Sequence, residues 1–170
     1  EPFEPPDADE LHHLYFGLLS ADAGRWLRRL LGGGAVDRRV RALIRVAGLP
    51  RAARALLVPI VRALGQRGLA LVLESAGRRS AATYWELVER CERYRDRFAA
   101  SLKASRIDGI LCPPHTLPAI SHVASYGLRL GGTYSLAFNL LGMPAGVVST
   151  TRVRAGEESE RARTGDRSSS

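Results

Sequence analysis

The chain has 170 residues, a length that allows one hydrophobic core and therefore predicts one domain. Its net charge is +8, and residues 37–67 contribute most of it, with eight arginines against Asp37 alone. No run of about 18 apolar residues occurs, which excludes a bilayer-spanning helix, and two cysteines do not make a disulfide scaffold.

Short helices are predicted at the beginning of the chain. Asp7 or Asp9 can cap a helix that runs to about Ser20, and a second helical piece covers residues 21–31 before the glycines at 32–34. The residues that the first helix turns inward are Leu11, Leu14, Tyr15 and Leu18. Their spacing is typical of an amphipathic helix with one buried face.

Residues 37–77 are predicted to form basic, amphipathic helices. Glycine and proline divide this window into helices at 37–47, from 51 onward and at 69–75. Pro59 lies inside an apolar run of the second helix, so we expect that helix to kink or restart there.

The longest predicted helix begins after Ser80 and runs to about Ser105. Apolar residues recur in it at steps of three and four, whereas the opposite face mixes acids and arginines and is expected to be solvated. The inward stripe consists of Tyr84, Leu87, Val88, Cys91, Tyr94, Phe98 and Leu102.

Two short apolar runs predict buried β-strands. The first covers residues 107–111 and ends at the prolines 113–114, which cannot continue a ladder. A helix at 134–141 follows, and the second strand is predicted at 145–148. Residues 157–170 mix charge with serine and carry no aliphatic residue larger than alanine, so this tail is predicted to be disordered.

Three stretches carry a resemblance to a known family. They are Asp108-Gly-Ile-Leu-Cys-Pro113, Tyr134-Ser-Leu-Ala-Phe-Asn139 and Gly142-Met-Pro-Ala-Gly-Val-Val148. They resemble the late part of the amidase-signature family, and within it the fatty acid amide hydrolase branch. The likeness extends upstream through residues 79–85 and more weakly to 16–22. It implies an α/β fragment, predominantly helical, in which residues 1–156 form part of a mixed sheet surrounded by helices.

The resemblance implies amide hydrolysis by two serines and a lysine, with backbone amides of a glycine- and serine-rich loop holding the oxyanion. No Gly-Gly-Ser-Ser-Gly-like stretch occurs in the chain, and Lys103 lies off the apolar stripe of its helix. We therefore expect the C-terminal portion of a serine hydrolase of fatty acid amides, with no catalytic residue and no cofactor of its own. Such a chain is expected to be inactive alone.

A metal site is a weaker interpretation. Cys112, His115 and His122 are ligand-type residues, but two prolines separate the first two and make joint coordination awkward. A buried thiol beside a loop imidazole is the alternative that we favour, so no metal is expected. The acidic, proline-rich beginning lacks the pattern of a signal peptide, and both cysteines are expected to be reduced. A cytoplasmic location is therefore expected, with peripheral attachment to a membrane as the alternative.

Contact with an anionic membrane surface is predicted for part of the basic window. Leu57 and Ile60 lie between Arg54 and Arg62, a pattern in which hydrocarbon takes the aliphatic residues and phosphate headgroups take the arginines. The resemblance implies the same role, since these hydrolases carry a helical cap that docks on membrane. The alternative is an ordinary helical surface packed on the rest of an enzyme. Nucleic acid is not expected, because this window has no aromatic residue for stacking.

The resemblance further implies a passage for the acyl tail of a lipid-like amide. Gly132 and Leu136 would line it from the late helix, and Val72 and Ala76 from the cap, although all four are equally compatible with simple packing. A rival function is a non-enzymatic helical module that binds an anionic membrane or a partner protein. A dimer, or pairing with a separate chain that carries the catalytic half, also remains open.

Overall fold

The computed structural model describes residues 2–32, 34, 36–117 and 132–157. These residues form seven helices: α1 (Ala8–Leu19), α2 (Arg25–Leu31), α3 (Arg38–Gly48), α4 (Arg51–Ala63), α5 (Arg67–Ser75), α6 (Ala81–Ala104) and α7 (Thr133–Leu141). Residues 158–170, which hold nearly all of the predicted disordered tail, lie outside the described residues, as does His122.

The two helix starts with the strongest sequence signals form as predicted. The Asp7 side chain accepts a hydrogen bond of 2.9 Å from the backbone N–H of Glu10, which caps α1. Ser80 caps α6 in the same way, since its Oγ accepts from the backbone N–H of Thr83 at 3.1 Å. Each cap satisfies a backbone donor that the helix itself leaves unpaired.

The core lies where α1, α6 and α7 meet. Its buried members are Leu11, Leu14, Leu87, Cys91, Tyr94, Phe98 and Leu140. Tyr94 is fully enclosed, and its hydroxyl donates to the carbonyl of Pro6 at 2.7 Å, so burying this polar group leaves no unpaired oxygen. Above this core, Glu10 of α1 pairs with Arg90 and Arg97 of α6. The apolar stripe predicted for α6 is therefore confirmed for Leu87, Cys91, Tyr94 and Phe98, whereas Tyr84 at its beginning is 39% exposed.

The basic window folds against this core through α5. Helix α5 packs on both α1 and α4, so α4 forms an outer layer. The predicted restart at Pro59 does not occur, because α4 is one helix through this residue. A kink there stays a prediction. Pro59 is exposed, and loss of a single backbone hydrogen bond on the outer side of a helix can be tolerated.

The two predicted strands do not form a sheet within the described residues. Residues 107–113 and 143–150 have no regular secondary structure there. The side chains of the second run point into solvent, with Val147 92% exposed and Val148 78% exposed, and Leu111 of the first run is 86% exposed. The helical part of the predicted α/β fold is confirmed, whereas a strand needs a neighbour for its ladder and no described segment supplies one.

Candidate functional site

Helix α4 presents a row of aliphatic side chains that no other described part of the chain covers. Leu56, Ile60 and Leu64 recur at intervals of four residues, which aligns them on one face, and Leu56 is 72% exposed. Leu57 borders this row and is also exposed. We call these four residues the α4 face. Of the residues predicted for membrane contact, Leu57 and Ile60 belong to it.

Arg62 lies on the exposed surface of α4 as well. Its Nη2 forms an ion pair with Oε1 of Glu74 at 2.5 Å, which joins α4 to α5. The pair is partly solvated, so it contributes at most about 1 kcal/mol to stability. None of the described helices combines the length and the apolar character needed to cross a bilayer.

Arg54, the fourth residue predicted for membrane contact, lies inside the protein. It is 7% exposed, and its Nη1 donates to the carbonyl oxygen of Leu73 at 3.3 Å. Burial lowers the pKa of the Arg54 guanidinium, and the charges of Arg79 and Arg51 lower it further. This side chain faces α5 and not solvent, so the prediction that Arg54 contacts a membrane from the protein surface is wrong.

A second arginine stands at the same end of α5. Arg79 donates from Nη2 to the carbonyl of Ser75 at 2.6 Å, and its backbone N–H donates to the carbonyl of Ala21 at 2.9 Å. In the loop between α5 and Arg79, the backbone N–H of Gly77 donates to Oγ of Ser20 at 2.9 Å. Two guanidinium groups thus meet the negative end of a helix dipole. Sequence spacing gave no signal for this junction, because its partners are up to 58 residues apart.

The four residues predicted to line an acyl passage lie in two pairs. Val72 and Ala76 are buried on α5 and directly after it. Gly132 caps the beginning of α7, and Leu136 is half-buried one turn later. Both helices pack on α1. A Cβ atom on Gly132 would meet no atom of the described residues within 4 Å. Their joint role as a passage stays a prediction.

No group of three or more His, Cys, Asp or Glu side chains in the described ranges is arranged to hold a metal ion. His115 is used locally, since its Nδ1 accepts from the backbone N–H of Leu117 at 3.1 Å. Cys91 is buried, and burial raises the pKa of its thiol, which disfavours the thiolate that a nucleophile needs. Lys103 is exposed in the last turn of α6.

The chain is similar in sequence to known proteins. No protein-family model matches it. It is 35% identical over 160 residues to "Fatty-acid amide hydrolase 1" of Sus scrofa, an alignment that covers 94% of this chain and 27% of that protein. It is 27% identical over 158 residues to "Fatty acid amide hydrolase 1" of Caenorhabditis elegans, covering 92% of this chain and again 27% of the relative.

The alignments run over nearly the whole of the described chain. They include the stretches at 108–113, 134–139 and 142–148 on which the resemblance was predicted, because only a few residues of the 170 fall outside them. The chain spans about a quarter of the length of these curated relatives, 27% in both cases. The predicted resemblance is confirmed, since the chain is similar to a part of these fatty acid amide hydrolases.

Proposed function

We propose that this chain forms the lipid-facing part of an enzyme that hydrolyses fatty acid amides, with the reactive serines and lysine outside these 170 residues. The relatives named above support the reaction class. The observation that carries the lipid-facing role is the uncovered α4 face, Leu56, Leu57, Ile60 and Leu64. An aliphatic row of this kind beside arginines fits the boundary between headgroups and acyl chains.

The substrate would be a hydrophobic amide whose acyl tail passes between the helices around α1. Val72 and Ala76 would border the tail from α5, and Gly132 and Leu136 from α7. All four are small or aliphatic, so they offer hydrocarbon contact and no competing polar group.

The exposed apolar runs at 107–112 and 145–148 would be strands of a mixed sheet completed by other parts of the enzyme. The exposure of Leu111 in the first run and of Val147 and Val148 in the second supports this proposal, because it leaves large aliphatic side chains in water. The catalytic part would be the partner, whether it is joined covalently or belongs to a separate chain.

The proposal that the reactive serine lies outside this chain is tested with a serine-reactive fluorophosphonate probe. We expect the purified 170-residue chain to show no labelling above a heat-denatured control and no release of amine from a fatty acid amide. An intact relative serves as the positive control in the same assay. Specific labelling of a serine in this chain would show that the nucleophile lies within it.

Membrane contact is tested by co-sedimentation with phosphatidylcholine vesicles, with and without phosphatidylglycerol. We expect salt-sensitive binding to the anionic vesicles, because added ions screen the arginines. Leu57→Glu combined with Ile60→Glu should weaken binding about 100-fold or more, since burying each aliphatic side chain contributes about 1.5 kcal/mol or more and 1.4 kcal/mol is tenfold.

The matched control is Val147→Glu with Val148→Glu, which makes the same chemical change at exposed aliphatic residues away from α4. It should bind vesicles like the unaltered chain. Equal loss of binding in both double variants would remove the α4 face from the proposal and leave only a general effect of charge.

A further inference from the structure

Helix α2 is a second place where large apolar residues stand in solvent beside arginines. Its sequence is Arg25-Trp-Leu-Arg-Arg-Leu-Leu31, with no acidic residue in the helix. Trp26 and Leu30 are each 66% exposed, whereas Leu27 and Leu31 are half-buried. A contiguous exposed apolar patch rimmed by charge is informative, whereas scattered single apolar residues on a surface are ordinary.

The residues of α2 divide into two arcs around its axis. At about 100° per residue, the four apolar side chains fill one arc of about 140°, and the three arginines occupy the remainder. The half of the apolar arc with Leu27 and Leu31 is half-buried, and the exposed half, with Trp26 and Leu30, lies next to Arg29 and Arg25. Because residues 26 and 30 are one turn apart, they form a continuous strip.

The beginning of α2 is held firmly enough to present this strip. Asp22 accepts hydrogen bonds from the backbone N–H groups of Gly24 and Trp26, both at 2.7 Å. These bonds lower the pKa of Asp22. Gly24 in turn lies against Ile44 and Ala47 of α3. The helix is therefore anchored from both sides at its first turn.

The positive charge of the α2 arginines favours a lipid surface over a protein partner as the binding partner of the strip. Arg25 and Arg29 are exposed and have no ion pair within the described part of the chain, and Arg28 bonds only to the carbonyl of Ala23. A protein partner that covered the strip would have to pair or desolvate these cations. A lipid surface accepts tryptophan and leucine at the headgroup boundary while arginines reach phosphates.

We propose that the exposed strip of α2, Trp26 and Leu30 with Arg25 and Arg29 beside it, is a second contact with an anionic lipid surface, separate from the α4 face. The inference rests on the proposed membrane association of the chain. With α2 and α4 both in contact with the lipid, the chain would be held at two places. Helix α2 would then fix the orientation of the chain on the bilayer as well as contribute affinity.

Trp26 itself is the probe, because the chain has only one other tryptophan, Trp85 of α6. Trp85→Phe leaves Trp26 as the only indole, and Trp26→Phe leaves Trp85, which is similarly exposed but lies beside Glu86 and Glu89. The full 170-residue chain of each variant is mixed with phosphatidylglycerol-containing vesicles, and circular dichroism checks that both are folded. Emission wavelength, acrylamide quenching and quenching by bromine-labelled acyl chains are measured.

We expect the emission of Trp26 to shift to shorter wavelength, to lose acrylamide quenching and to be quenched by brominated chains, while Trp85 changes little. Arg25→Gln with Arg29→Gln should weaken the partition of the chain about 30-fold, since each arginine near an anionic surface contributes ~1 kcal/mol and 1.4 kcal/mol is tenfold. Pure phosphatidylcholine vesicles should give a much smaller response.

The outcomes separate this inference from the proposed function. If the chain sediments with vesicles and depends on Leu57 and Ile60, but Trp26 stays accessible to acrylamide, the α2 contact is overturned and the α4 face stands. If Trp26 is buried and the α4 variant binds normally, the α2 contact stands alone. If Trp26 is shielded equally without vesicles at high protein concentration, a second copy of the chain and not lipid is its occupant, and the inference fails.

Discussion

A guanidinium buried as deeply as that of Arg54 depends on very few partners. It has the carbonyl of Leu73 at 3.3 Å, and its Nε has no hydrogen-bond partner among the described residues. Burying a charge without an acid beside it is costly, so the rest of the stabilisation must come from the helix dipole and from close packing. The packing surface is the backbone of Gly77, which has no side chain to keep the guanidinium away.

Gly77→Ala is therefore expected to destabilise the chain. Gly77 has φ of +115°, a region that side chains rarely adopt, and a Cβ there would lie 2.7 Å from Nη1 of Arg54 and closer still to two other guanidinium atoms. Backbone strain of this kind costs about 1–3 kcal/mol, and displacement of Arg54 adds to it. Urea unfolding followed by circular dichroism measures the loss.

Two further variants separate the causes. Gly109→Ala is the matched control, because a Cβ there would meet no atom of the described residues within 4 Å and its φ is not positive, so the unfolding midpoint of the variant should hardly change. In an Arg54→Met background the clash should shrink and the strain should remain, which leaves a smaller effect of Gly77→Ala. Full tolerance of alanine at position 77 in the unaltered background would contradict the close contact.

At the scale of elements, the sequence predicted those helices whose signals are local. Caps at Asp7 and Ser80 and a regular apolar spacing are properties of neighbouring residues, and α1 and α6 form as expected. Helix α2 begins four residues later than predicted. Asp22 binds the N–H groups of the turn, and two left-handed residues, Ala23 and Gly24, precede the first helical residue. Helix propensity alone does not reveal such a turn.

The surface of α4 was predictable in part for the same reason. The composition indicated aliphatic residues between arginines, and Leu57, Ile60 and Arg62 lie exposed. Arg54 was misplaced because its orientation depends on which face of α4 meets α5, a tertiary contact. The strip on α2 was missed, although its signal was present in the sequence as a tryptophan and a leucine four residues apart among arginines.

At the scale of the whole molecule, the described residues divide into a packed part and an uncovered part. The core of α1, α6 and α7 is closed around Tyr94 and Leu14. The run at 107–111 contributes Ile110 to the edge of this core, but its Leu111 is exposed, as are Val147 and Val148 of the run at 145–148. Apolar periodicity could predict that these runs are meant for burial, but it could not supply the neighbouring strands.

This division predicts how the isolated chain behaves. Large aliphatic side chains remain in water on α2, on α4 and on both segments predicted as strands. We therefore expect the chain to bind an environment-sensitive naphthalene sulfonate dye and to melt over a broad temperature range. Leu111→Ser with Val147→Ser and Val148→Ser should reduce dye binding while leaving helicity unchanged, since these side chains are outside the core.

Leu140→Ser tests the packed part of the chain. Leu140 is buried in the core, so its replacement should lower helicity and raise dye binding, the opposite of the triple variant. A chain that binds no dye and unfolds in one sharp, cooperative transition would instead be a self-sufficient module. In that case the two apolar runs need no further strands, and the role proposed for them as part of a larger sheet would be wrong.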